Sequence, residues 1–287
     1  MAHLAEARTA TMRFGDFTAV EDVHLAVGSG EVVGLLGANG AGKTTLIRML
    51  LGLLIPTHGT VSLFGRSPSR ATRRRVGYVP QTLGLYDDLT VQENWEFTSA
   101  AFGIEGKSLP ESLAGSGQVL VGDLSLGLQR RVAFAVAFAH DPDLLILDEP
   151  TSGVGPLSSS RLWDDIRSSA EDGTGVLVTT HNMEEAEQCD RLVIMVGGRV
   201  VSSGTLIEVI GSRQVAQVEC DDWRKVFAAL DADGLIVQVQ GDRLRVPGTA
   251  DEVQALLQHH QLTGNVTAVP ANLEEAFVDI VTTASQQ

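Results

Sequence analysis

The chain is 287 residues long, 44% apolar and 20% charged, which is ordinary globular usage and excludes a collagen-like or mostly disordered protein. Its 21 basic and 36 acidic residues give a net charge of −15, and both residues 1–212 and residues 213–287 are acidic. Capture of nucleic acid, which needs lysine and arginine to neutralise phosphates, is therefore not expected. The two cysteines, Cys189 and Cys220, have no second pair nearby, so neither a disulfide framework nor a cysteine-type zinc site is indicated and a reducing cytoplasm fits. The longest apolar runs are about the length of 132–139, well short of the roughly 18 residues a bilayer span needs. The first residues, MAHLAEARTATMRF, carry no secretory pattern.

Residues 22–36 alternate and then run apolar through EVVGLLG, which predicts strands ending at a glycine-rich turn, after which KTTLIRMLLG predicts a helix. Short β-branched runs follow at 61–64 (VSLF), 76–79 (VGYV), 144–148 (LLILD), 175–180 (GVLVTT) and 191–196 (RLVIMV), with helical patterns between them. Such alternation predicts a mostly parallel sheet covered by helices. The Gly197, Gly198 pair predicts a hairpin closing this part near Gly204. Residues 86–137 form a helical insertion, with QENWEFTSAAF and SLGLQRRVAFAVAF flanking a glycine- and serine-rich stretch. From Arg213 onward the order is strand, helix, strand, Gly-Asp turn, strand, helix, strand. That is the split βαβ pattern of a ferredoxin-like unit, here with one extra closing helix.

The strongest chemical signal is GANGAGKT at 37–44, a G-x-x-x-x-G-K-T spacing between a predicted strand and a predicted helix. Gly37, Gly40 and Gly42 let successive N–H groups turn toward phosphate oxygens, and the helix N-terminus adds positive partial charge. Lys43 reaches the β- and γ-phosphates and the Thr44 hydroxyl ligates magnesium. A second signal comes 105 residues after Lys43, where LLILD ends in Asp148, followed by Glu149 and Pro150. An acid closing a buried strand needs a partner; a magnesium ion shared with Thr44 supplies one for Asp148, and Glu149 then polarises an attacking water.

These residues resemble the ATP-binding cassette (ABC) ATPases, and the likeness covers nearly the whole chain. It implies an α/β fold with a P-loop NTPase core, an antiparallel β subdomain and a small helical subdomain, spanning 1–212, and an α+β accessory domain at 213–287. It implies ATP contacts from the whole loop, Ala38, Asn39, Ala41 and Thr45 included. Gln81 in YVPQ is similar to the family's Q-loop glutamine, with a place in the magnesium and water region, and His181 in VTTH to its switch histidine. Phe14, 29 residues before Lys43, stands where the family places an aromatic on adenine, and Phe17 is its rival. The family signature LSGGQ corresponds to LSLGLQRR at 124–131, with Leu126 in place of a glycine. Ser125 and Gly127 are retained and are implied to act on the nucleotide of a second subunit. Gly155 stands where the family usually has an aspartate.

The segments LTVQENWEF, HNMEEAEQCDR and PANLEEAFVDI are similar to cassettes of daunorubicin-resistance-type drug exporters. The implied protein is a peripheral ATPase on the cytoplasmic face of the cell membrane that powers export through a separate permease and works as a pair of cassettes, homodimeric or heterodimeric. The interval from Gln81 to Ser125, 44 residues, is about ten shorter than the resemblance leads one to expect, so the permease-docking insertion is trimmed. Two other readings stay open: a soluble ABC ATPase of a cofactor- or complex-assembly system, and a weakly hydrolysing regulatory cassette.

Overall fold

A computed structural model describes residues 3–104 and 106–285. The chain divides into two compact units, residues 1–205 and 206–287.

In the first unit, five strands run parallel in the order Val76–Val79, Leu144–Asp148, Gly175–Thr180, Val32–Leu36 and Arg191–Val196, and Arg199–Gly204 joins the edge antiparallel. Every residue of the three central strands is buried. Strands covered on both faces read as unbroken apolar runs rather than alternations, which is why VVGLL, LLILD and GVLVTT are visible in the sequence. A three-stranded antiparallel sheet, in the order Phe17–Val27, Ala5–Phe14 and His58–Leu63, encloses the core from the other side. Its first strand escapes the sequence reading because the inward residues Ala5, Ala7 and Ala10 are alanines, poor strand formers that leave the alternation faint. Helix Lys43–Leu50 presses Leu46, Ile47, Met49 and Leu50 into the same core.

The helical insertion consists of Val91–Phe102, a single turn at Glu111–Ala114, and Leu126–Phe138. Val91, Leu113, Val121 and Val132 form its small core. Thr90 and Glu93 cap the first of these helices reciprocally, satisfying N–H groups that helix starts leave open.

The second unit has the predicted βαββαβ order. Its four antiparallel strands lie as Gln238–Gln240, Arg243–Val246, Gln214–Glu219 and Asn265–Pro270, with helices Trp223–Ala232 and Ala250–His259 closing one core. The strand expected from Leu235 begins only at Gln238, because Leu235 and Val237 turn into the helix-covered core instead of pairing. The unit starts at Leu206 rather than Arg213, since helix Leu206–Ile210 packs on the closing helix Leu273–Ser285. Arg245 holds the N-terminal turn of that closing helix with two bonds to the Glu275 carboxylate at 2.7 and 2.9 Å. Among the described residues no helix is long and apolar enough to cross a membrane.

Candidate nucleotide site

Parallel pairing brings the carboxyl ends of three central strands side by side: Leu36 opposite Thr180, and Asp148 opposite Thr179. Ligands of open α/β sheets bind at this edge, because strands end there and the loops carrying polar side chains begin. The glycine-rich loop starts immediately after Leu36. Gly42, the N-cap of helix Lys43–Leu50, has φ 99°, and a Cβ there would stand 2.5 Å from the Ala19 carbonyl. At Gly37 a Cβ would come as close to the Met195 carbonyl, whereas the space beside Gly40 is open. The loop is thus packed tightly behind and empty in front.

A hollow of about 440 Å³ lies over the loop, lined by Phe17, Ala19, Asn39, Gly40, Ala41, Gly42, Lys43, Thr44, Thr45, Gln81 and Glu149. Gly37 and Ala38 are not among its lining residues; their carbonyls accept hydrogen bonds from Lys43 Nζ at 2.6 and 3.2 Å. Burial lowers the Lys43 pKa, against the opposing fields of Glu149 and Asp148. Both carboxylates stand close enough to favour the ammonium form.

Thr44 Oγ1 donates to Asp148 Oδ2 at 3.0 Å, and Thr179 Oγ1 donates to Asp148 Oδ1 at 2.7 Å. Threonine hydroxyl, carboxylate and the nearby Gln81 amide make a set of hard oxygen donors, the kind that suits magnesium. Among the described residues no cluster of three or more His, Cys, Asp or Glu side chains could hold a metal by itself.

Glu149 is buried and has φ 51°, a left-handed conformation that costs a non-glycine residue about 1–3 kcal/mol. Three bonds hold it there: its N–H donates to Thr179 Oγ1 at 2.8 Å, and its carbonyl accepts from Arg130 Nη1 at 2.9 Å and from the Ser152 N–H at 3.2 Å. The carboxylate turns to the hollow, where Gln81 Nε2 donates to Oε2 at 3.2 Å and His181 Nδ1 lies 3.7 Å from Oε1. His181 itself is exposed, on the turn after Thr180.

The predicted residues therefore fall into two groups. The loop, Lys43, Thr44, Gln81, Asp148, Glu149 and His181 come together in one chain. Ser125 and Gly127 do not line the hollow; Ser125 is the exposed N-cap of helix Leu126–Phe138, and no side-chain bond caps it. Phe14 does not line the hollow either. It pairs across the tip of the first hairpin with Phe17, which does. Thr179 and Arg130 were missed by the sequence reading. Thr179 was hidden as one more β-branched residue of a strand, and Arg130, buried with its Nε unpartnered, as one of two consecutive arginines in a helix.

Comparison with known proteins agrees with this geometry. A family profile described as "ABC transporter" matches residues 20–152. The chain is 42% identical over 212 residues to the probable multidrug ABC transporter ATP-binding protein YbhF of Escherichia coli, a match covering 70% of this chain and 37% of that longer relative. It is 39% identical to the Nod factor export ATP-binding protein I of Burkholderia lata, over 90% of this chain and 82% of the relative. A solved structure of an ATP-binding subunit of an ABC transporter superposes with a TM-score of 0.67 at 32% identity, over 72% of this chain and 91% of that one. The chain belongs to the ABC transporter family, as one of its ATP-binding subunits.

Proposed function

We propose that the chain hydrolyses ATP to drive export of a small hydrophobic molecule, drug-like in character, through a separate membrane permease, docked peripherally on the cytoplasmic face. The observation that carries the hydrolytic reading is the placement of the Glu149 carboxylate at the mouth of the loop hollow, between Gln81 and His181. Export is supported by the likeness to relatives named for multidrug and Nod factor export.

In this reading the N–H groups of the loop and the N-terminus of helix Lys43–Leu50 bind the phosphates, and Lys43 exchanges its carbonyl partners for phosphate oxygens. The aromatic tip of the first hairpin, Phe17 with Phe14 beside it, receives the base. Thr44 and Asp148, with Gln81 alongside, would hold magnesium, which supplies neutralisation of phosphate charge. Glu149 takes the proton of the attacking water, Gln81 orients that carboxylate, and His181 steadies the γ-phosphate oxygens. Ser125 and Gly127 complete the site of a second cassette, so closure of two subunits precedes turnover and reopening follows it. Chemistry is converted to motion through unequal affinity of ATP and its products for the closed and open states.

The test is steady-state ATPase activity beside the Glu149→Gln variant, with ATP-dependent dimer mass recorded for both. A positioned general base contributes about 10² to 10⁴ in rate, so the variant should bind ATP and dimerise while turnover falls by at least about 10²-fold. Undiminished turnover in the variant would refute the assignment. A second reading, a slowly hydrolysing cassette that pairs with a different one, is favoured by Leu126 and Gly155, which both lie on elements that the family resemblance has acting across the interface between cassettes. It expects little activity until a second cassette is added.

A further inference from the structure

Glu185 is a buried carboxylate outside the loop hollow, and the reaction outlined above does not use it. It lies in the one-turn helix Met183–Ala186, which is capped by Asn182. Its Oε1 accepts from Thr151 Oγ1 at 2.6 Å and from Ser159 Oγ at 3.4 Å, and its Oε2 accepts from Thr180 Oγ1 at 2.7 Å. Among the described residues no lysine, arginine or histidine forms an ion pair with it. Burying a carboxylate on hydroxyls alone is costly compared with an apolar side chain of similar size, so its placement calls for an account beyond packing.

The identities of the donors give one. Thr151 is two residues after Glu149, and Thr180 is the residue before His181. The Thr180 hydroxyl also accepts the N–H of Asn182 at 3.0 Å, so the turn carrying His181 is tied on both sides to the Glu185 carboxylate. An ionised carboxylate only accepts; each threonine must therefore aim its proton at Glu185, which fixes both side-chain rotamers. Beyond the pairing of Asp148 with Thr179 and the Glu149 N–H bond to Thr179, one group thereby adds a further tie between the two chain segments whose side chains meet at 3.7 Å as Glu149 Oε1 and His181 Nδ1. A hollow of about 450 Å³ reaches Glu149, Thr180, His181 and Glu185, so on that side the Glu185 bonds tie together chain that has left the paired strands.

We propose that Glu185 is a positioning residue that holds Glu149 and His181 in register across the chain, through Thr151 and Thr180. The inference rests on the hydrolytic reading for its consequence in rate, while the geometric claim stands apart from it. A residue that merely ties the short helix down would cost stability when replaced and leave the Glu149–His181 pair unchanged. A positioning residue acts through its targets, so its loss should lower kcat rather than raise the KM for ATP, and should cost less once His181, one of its two targets, is gone.

The experiment has two arms. In the full chain carrying ¹⁵N-labelled histidine, Glu185→Gln should shift or broaden the His181 imidazole signals and leave those of His260, in the second unit, unchanged. Thr180→Val should do the same and Thr180→Ser should not, which keeps the arm decisive if Glu185→Gln does not fold. In the ATPase assay Glu185→Gln should lower kcat about 10- to 100-fold, the scale of a misplacement near 1 Å, with KM within about two-fold. In a His181→Ala background the further loss should be smaller, the remainder passing through Glu149 by way of Thr151. Unmoved His181 signals, or equal fold-losses in both backgrounds, would overturn the proposal. If the unsubstituted protein shows no turnover, the hydrolytic reading fails alone and the histidine signals still decide the clamp.

Discussion

Thr179→Val is the most informative single change at the site, because valine keeps the shape of threonine and removes only its hydroxyl. That hydroxyl accepts the Glu149 N–H at 2.8 Å and donates to Asp148 Oδ1 at 2.7 Å, and the side chain is fully buried. Its loss forfeits a hydrogen bond to a charged group, about 1.5–3 kcal/mol, and strands a buried backbone N–H, about 1–3 kcal/mol. The cost expected is about 3–5 kcal/mol, a large share of the roughly 5–15 kcal/mol that holds a domain together. Thr179→Ser is the control: it keeps both bonds and loses one methyl, about 1 kcal/mol. Urea unfolding of the first unit can be followed by the emission of Trp95 and Trp163, both buried, in a Trp223→Phe background that silences the second unit. Should Thr179→Val unfold within about 1 kcal/mol of Thr179→Ser, the claim that this hydroxyl anchors both acids is wrong. The Glu149 backbone would then owe its left-handed conformation to the bonds its carbonyl accepts from Arg130 and Ser152.

Two further outcomes follow from particular residues. Phe17→Ala should weaken ATP binding, by roughly 1–2 kcal/mol for a lost aromatic contact with the base, and Phe14→Ala should weaken it less; equilibrium titration with a fluorescent ATP analogue measures both, and the reverse order would move the base to the other side of the hairpin. Burial pushes the Cys189 thiol up to about 12 from an ordinary 9.0. Its stabilising contribution is therefore complete below about pH 9 and is lost as pH rises from there toward 12, at about 1.4 kcal/mol per unit. Urea midpoints against pH for the unsubstituted protein and Cys189→Ala should diverge only in that window, and parallel curves would contradict it.

What the sequence made legible was whatever depends on local pattern. The buried parallel strands at 144–148, 175–180 and 191–196 have the predicted bounds, since an unbroken apolar run between turn residues has few other readings. The loop at 37–44 was legible for a chemical reason: only glycine fits where Gly37 and Gly42 meet neighbouring carbonyls. The supports of the site were not legible. Thr179, Arg130 and Glu185 are common residue types whose roles come from pairings 19 to 34 positions apart, joined at Glu185 by the nearer Thr180, and no local spacing records which polar side chain a given strand end will face. The choice between Phe14 and Phe17 stays open in the sequence for the same reason. They occupy opposite arms of one hairpin, and only the bend of that hairpin decides which ring reaches the hollow.

The two departures from the family pattern, Leu126 and Gly155, lie 29 positions apart in sequence but belong to one piece of surface. Leu126 opens the helix that follows Ser125, and its Cδ2 lies 2.9 Å from where a Cβ on Gly153 would stand. One residue further along, a Cβ on Gly127 would meet Ser158 Oγ at 3.0 Å. The start of the signature helix is therefore seated along residues 153–158, and Gly155 is the middle of that seat, serving as N-cap of helix Pro156–Glu171 without a side chain to cap it. A leucine at 126 is compatible with a loop that has only hydrogen at 153, so the bulkier signature residue and the stripped-down loop are matched to each other within one chain. Both still present themselves outward: Leu126 is 40% exposed and Gly155 has no neighbour within 4 Å of its missing Cβ. In the proposed reading the residues assigned to the chain's own nucleotide keep the family pattern, while the face that would meet a second cassette carries a bulky apolar residue at 126 and no charge at 155. A partner with a complementary apolar patch fits that face better than one offering a pairing charge, which makes the choice between a homodimer and a mixed pair a question about this surface rather than about the catalytic residues.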